Sequence, residues 1–260
     1  MPSKQHPQPA NAGKMWFAGL DLAWSARNPS GAVVLASQGG TAKPVAWEAE
    51  LGGDQEIVGF LISHLGEEPA LVAIDAPLVV PNLIGTRKCD LELSRAYRER
   101  EAGALPANRA RLGPRVRGED LVRRLARHGF RHSPLVAARQ PVRQVIEVYP
   151  HPAAVELFNL EKTLKYKARR GRSLPFRQEE LSRYRRLLLS LANCVPSLEA
   201  RALLSKLNPK GVRGRALKRL EDLLDALFCA YIAYYIWWHG PAGYRCFGNL
   251  KEGYILVPHR

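Results

Sequence analysis

The chain has 260 residues, 46% of them hydrophobic, and a formal net charge of +15. That suffices for one large core or two small ones, and the charge points to an anionic partner, with nucleic acid ahead of a merely arginine-rich composition. Scattered cysteines (Cys89, Cys194, Cys229, Cys246) with no CxxC pair exclude a zinc site or disulfide framework and read as reduced core residues.

In chain order, residues 1–13 read as a polar, disordered tail without the apolar centre of a signal peptide. Strands are expected over residues 15–22, 31–36 and 45–51, forming an antiparallel meander. Asp54 can cap a helix to about residue 65, where Ile57, Val58, Phe60, Leu61 and Leu65 follow helical spacing. Residues 70–76 read as a strand buried on both faces, ended by Pro77 and Pro81.

From Arg87 a long basic insertion begins, over about residues 87–141. Its ends, 89–100 and 120–129, are predicted helices, and its middle, GALPANRARLGPRVRG, a loop. A strand over 142–148 follows, stopped by Pro150 and Pro152, then a short helix over 153–158. Residues 162–177 are basic and contain Gly171 and Pro175. Helices are predicted over 178–192, 197–207 and 217–238, and two short strands over 244–257. The longest apolar run, 223–238, is only about 16 residues and contains Asp225, so it is too short and wrongly charged for a membrane span. The whole predicts a soluble, cytoplasmic α/β protein, with a single domain over residues 14–260.

Four carboxylates stand where packing alone would not put them: Asp21 in GLDLA, Asp75 in AIDAPL, Glu147 in VIEVYPH and Asp225 in DLLDALFCAY. An isolated buried carboxylate costs several kcal/mol, so such acids are paired, protonated or bound to a metal. Singly, each has an ordinary reading: a turn or cap for a lone Asp, a solvated or capping role for Asp222, and for Glu147 a partner such as Arg143 or an arginine of the insertion. Jointly, Asp21, Asp75, Glu147 and Asp225, with Asp222 three residues before Asp225, suggest one shared cation site. Carboxylate oxygens suit Mg²⁺ or Mn²⁺, and two such ions roughly 3.5–4 Å apart can hydrolyse a phosphodiester.

The motifs GLDLA, IDAPL followed by RKCDLELSR, EVYPHP and DLLDALFCAY resemble the domain-of-unknown-function 429 family of predicted ribonuclease-H-like nucleases. The resemblance spans about residues 15–257. It implies a ribonuclease-H-like mixed five-stranded sheet flanked by helices, with the basic helical insertion after the fourth strand. It also implies that Asp21 is the central ligand bridging two metals, and that Asp75, Glu147, Asp225 and Asp222 complete the set. Ribonuclease H proper carries its second acid as a glutamate on a helix, so Asp75 departs from that pattern.

Lys162, Lys165, Lys167, Arg169, Arg170 and Arg172 surround Tyr166 and are expected to hold a nucleic-acid backbone. Tyr166 can stack on a base or fill the core. His151 can assist proton transfer or make a structural hydrogen bond. The expectation is a metal-dependent nuclease. The alternative is a nucleic-acid-binding protein that has lost catalysis. A sugar-kinase or actin-like phosphotransferase would need a glycine-rich phosphate loop and an adenosine-binding segment, and neither is present.

Overall fold

The computed structural model describes residues 15–25 and 27–260. The tail expected over residues 1–13 lies outside the described residues. Strands β1 (Met15–Asp21), β2 (Ser30–Gln38) and β3 (Thr41–Leu51) form the expected antiparallel meander. Gly39 and Gly40, at φ of 58° and 85°, make the two-residue turn from β2 to β3, a backbone that only glycine adopts freely. The tight turn lets β3 pair from Thr41 onward, upstream of the expected start, and Pro44 is accommodated opposite Leu35 beside a register shift.

Helix α1 (Asp54–Leu65) leads to β4 (Ala70–Asp75), which pairs in parallel with β1. The insertion supplies α2 (Lys88–Ala96), α3 (Arg109–Leu112) and α4 (Arg117–Ala126), followed by a two-residue strand, β5 (Arg131–His132). The single turn of α3 falls inside the stretch expected as loop. Asn108 starts it by accepting the Arg111 N–H at 2.9 Å.

Strand β6 (Arg143–Glu147) pairs in parallel with β4, and α5 (Pro150–Leu157) follows. Helix α6 (Leu174–Ser190) begins earlier than expected, because Ser173 caps it and Pro175 falls in its first turn, where a missing N–H costs nothing. Residues Ser197–Leu198 form β7, parallel to β3, so α7 starts only at Arg201 and ends at Lys206. The long helix α8 (Gly214–His239) and a separate hairpin, β8 (Tyr244–Asn249) with β9 (Gly253–Pro258), complete the chain.

The main sheet therefore has seven strands in the order β5-β6-β4-β1-β2-β3-β7, not the five expected. The extra two are edge strands of two residues each, too short to leave a periodic trace in sequence. No helix among the described residues is long and apolar enough to cross a membrane.

Strand alternation sorts the core into two layers. Phe17, Leu71, Ala73 and Ile146 face α8 and the helices around it; Leu20, Val72, Ile74 and Val145 face α1 and α4. Two glycines set how close α8 comes. A Cβ on Gly19 would stand 2.0 Å from the Ala226 carbonyl oxygen, and one on Gly31 would stand 2.7 Å from that of Asp222. Only residues without a side chain let the helix backbone touch the strands here.

Candidate functional site

Three of the four predicted acids are the last residues of parallel strands: Asp21 of β1, Asp75 of β4 and Glu147 of β6. Register decides which of them meet. Asp21 pairs directly with Asp75, so their side chains leave the sheet on the same face, the one that Gly19 opens to α8. Glu147 pairs with Ile74, one residue out of phase with Asp75, and alternation turns it to the other face.

There Glu147 meets Arg87. The guanidinium donates to both carboxylate oxygens, at 2.7 and 3.1 Å, and the Leu78 N–H donates to Oε2 at 2.7 Å. Arg87 also binds Asp90 through Nε at 3.1 Å and Nη2 at 2.8 Å. Burial pushes the Glu147 carboxyl up, to about 7, and Arg87 pulls it back. Burial alone would lower Arg87, but Glu147 and Asp90 outweigh it and hold the guanidinium charged. Glu147 thus lies in a buried Arg87–Asp90 clamp on the opposite face of the sheet, still near enough for its charge to help raise Asp75, and pairs with an arginine of the insertion; Arg143 instead donates to the carbonyls of Gly66, Glu68 and His128. What the clamp fixes is the backbone directly after Asp75.

On the α8 face, the helix brings Glu221, Asp222 and Asp225 against the ends of β1 and β4, all three nearly or wholly buried. The centre of this group is the Lys167 ammonium, 2.6 Å from Asp225 Oδ2, 3.2 Å from Glu221 Oε1 and 3.8 Å from Asp21 Oδ2. The second oxygen of Asp225 accepts the Tyr166 hydroxyl at 2.6 Å. Arg177 braces Glu221 at 3.4 Å, and Lys218 pairs with Asp222 one turn along the helix. Asp21 Oδ2 is buried and accepts no hydrogen bond from a fixed donor.

Crowded like charges shift the titration of this group. Burial, then the charge of Asp21, lifts the Asp75 carboxyl well above the usual carboxylate range. The same two causes lift Asp222 to about 8, with Lys218 acting in the opposite direction. At neutral pH Asp222 therefore holds a proton, and it shares a hydrogen bond with Asp21.

Burial, then the neighbouring Lys167, lowers His151 to about 4, so its imidazole is neutral. His151 contacts the Thr163 hydroxyl at 2.9 Å and stacks on Tyr166, which stacks in turn on Tyr184. Tyr166 is a core residue holding Asp225, not an exposed ring awaiting a base.

The six basic residues expected to hold nucleic acid divide. Lys167 lies among the acids. Lys162 and Lys165 both pair with Glu101, whose carboxyl they pull down to about 2. Arg169 and Arg170 are exposed beside Gly171, and Arg172 donates to the Lys167 carbonyl at 3.0 Å. Arg117 of the insertion is buried, and its guanidinium ties together Asp54, Ala23 and Gly52, the loops after β1 and β3.

Sequence reasoning missed Glu221 and the partnerships of Lys167 and Tyr166, whereas the pairing of Glu147 with an arginine of the insertion was among its readings. Glu221 had a signal: it stands four residues before Asp225, on the same helical face. The others had none, since contacts from irregular segments follow no period.

The donors assembled here are all carboxylate oxygens, the kind that suits Mg²⁺ or Mn²⁺. Their centre, however, is held by the lysine. Among the described residues, no three His, Cys, Asp or Glu side chains are drawn together as ligands of one metal ion.

Fold and site together define an α/β protein with a lysine-centred carboxylate cluster at the ends of its central parallel strands. The family model described as "Protein of unknown function (DUF429)" matches residues 19–251, and the chain belongs to that family. No curated protein and no solved structure matches it.

Proposed function

We propose that this chain is a metal-dependent nuclease that hydrolyses phosphodiester bonds of a nucleic acid from a ribonuclease-H-like core. The observation that carries the reading is the meeting of Asp21, Asp75, Asp222 and Asp225, from two adjacent parallel strand ends and one helix, on a single face. Ligands of open α/β sheets bind beyond the carboxyl ends of the strands. The antiparallel meander continued by two parallel strands supports the core that the family resemblance implies.

Mg²⁺ or Mn²⁺ held by these four carboxylates would supply an activated water and neutralise charge on the phosphate. The chain's own residues do the rest. Tyr166 orients Asp225. The Arg87–Glu147 clamp fixes the chain after Asp75 through the Leu78 N–H. Exposed Arg169 and Arg170 bind backbone phosphates beside the cluster.

The test is incubation with RNA–DNA hybrid, single strands, duplex and four-way junctions, with Mg²⁺, Mn²⁺ or chelator. Cleavage of at least one substrate that needs the divalent ion is expected. Full activity in an Asp21→Asn variant would refute the site. One observation favours the second reading, a binding protein without catalysis: Lys167 already neutralises part of the cluster. Salt-sensitive binding with no Mn²⁺ uptake in calorimetry would decide for it.

A further inference from the structure

We propose that Lys167 is the resident cation of the carboxylate cluster, and that its ammonium and a divalent ion compete for Asp21 and Asp225. The inference rests on the metal-site reading above and concerns how that site is regulated.

Geometry puts Lys167 where an ion would stand. Its ammonium touches Asp225, Glu221 and Asp21, which come from two different elements of the fold. No other cation of the cluster reaches more than two of the acids: Arg177 meets Glu221, and Lys218 meets Glu221 and Asp222. Five carboxylates, with Asp75, thus face three cations. An ion that simply joined Lys167 would have to share its oxygens, since Asp225 already gives one oxygen to Tyr166 and the other to Lys167. An ion that replaced Lys167 would take over the oxygens the ammonium leaves, Asp225 Oδ2 and Asp21 Oδ2.

Lys167 is also the member built to leave. The acids it binds are 0%, 3% and 14% exposed, whereas its own side chain is 29% exposed and has a route to water. It belongs to residues 158–173, which contain no helix or strand. The backbone there is pinned on both sides: Arg172 donates to the Lys167 carbonyl at 3.0 Å, and Arg177 to that of Tyr166 at 2.9 Å. Withdrawal is therefore a rotation of the four-carbon stem, with no structural element to break, and a lysine ammonium hydrates readily once outside. In the absence of the ion, Lys167 keeps the acids from repelling one another.

Two experiments on the full chain test this. Calorimetric titration with Mn²⁺ compares the native protein with Lys167→Met, which keeps the stem and removes the charge. At least ~10-fold tighter Mn²⁺ binding by the variant is expected, with a larger rise in melting temperature on adding the ion. Equal or weaker binding by the variant, where the native protein does bind, overturns the competition and leaves the metal site standing. If neither protein binds Mn²⁺, both readings fall. The second experiment needs no variant: reductive methylation of native protein, read by peptide mass spectrometry. Saturating Mn²⁺ should speed labelling of Lys167 several-fold while Lys162, held by Glu101, stays constant. Labelling of Lys167 that is unchanged by Mn²⁺ overturns the proposal.

Discussion

Replacing Gly19 by alanine tests whether α8 is seated on β1 as described. The new Cβ would meet the Ala226 carbonyl oxygen at 2.0 Å, the Ala230 nitrogen at 2.1 Å and the Cys229 carbonyl carbon at 2.8 Å. All three are backbone atoms, so no side chain can rotate away. Real Cβ contacts lie beyond about 3.0 Å, so helix and strand must part by about 1 Å. β1 is held between β2 and β4, which leaves α8 to move. Overpacking of this kind costs about 3 kcal/mol, which corresponds to a fall of roughly 6–12 °C in melting temperature for a chain of this size. The shift also stretches the two 2.6 Å contacts of Asp225, to Tyr166 and Lys167. Circular dichroism during heating measures the first effect and Mn²⁺ titration the second. Gly59→Ala is the control: it is exposed on α1 with nothing within 4 Å, and it should stabilise the protein by about 0.5–1 kcal/mol. A Gly19→Ala protein that melts with the native one would refute the packing argument.

Other consequences can be measured in parallel. Arg87→Met leaves Glu147 and Asp90 buried without their cation and should cost about 3–5 kcal/mol in urea unfolding. Tyr166→Phe removes a hydroxyl from a buried carboxylate; a loss of about 1.5–3 kcal/mol is expected by the same method, with weaker Mn²⁺ binding. Asp222 carries its proton in the folded state up to about 8 but only to about 3.8 when unfolded. The folded state therefore binds the extra proton between those values, so stability falls as pH rises through that window. Asp222→Asn should flatten the decline between pH 5 and pH 8; a slope identical to the native one would contradict the assignment.

Much of this arrangement could be read from sequence, and the parts that could not have physical causes. The apolar strands ending in Asp21 and Asp75, the helix carrying Asp222 and Asp225, and the meander all announce themselves by burial pattern. Gly19 also carried a signal, since a glycine inside a strand marks close approach of another backbone. Glu147 looked equivalent to Asp21 and Asp75 because all three end apolar strands. Only the pairing of Glu147 with Ile74 shows that it is out of phase. Lys167 was read as one of six residues facing nucleic acid, because a basic residue in an irregular segment has no periodicity to reveal where it turns. The same holds for the arginines of the insertion: Arg87 and Arg117 are structural ties within the fold.

The most direct test of the central claim compares nuclease activity and unfolding for three variants: Asp21→Asn, Asp75→Asn and Glu147→Gln. The account predicts that the two aspartate variants lose Mn²⁺-dependent cleavage while still folding. Glu147→Gln should lose stability first, and should cleave wherever it remains folded. Cleavage that survives in Asp21→Asn and Asp75→Asn, or that is abolished in a fully folded Glu147→Gln, would contradict it.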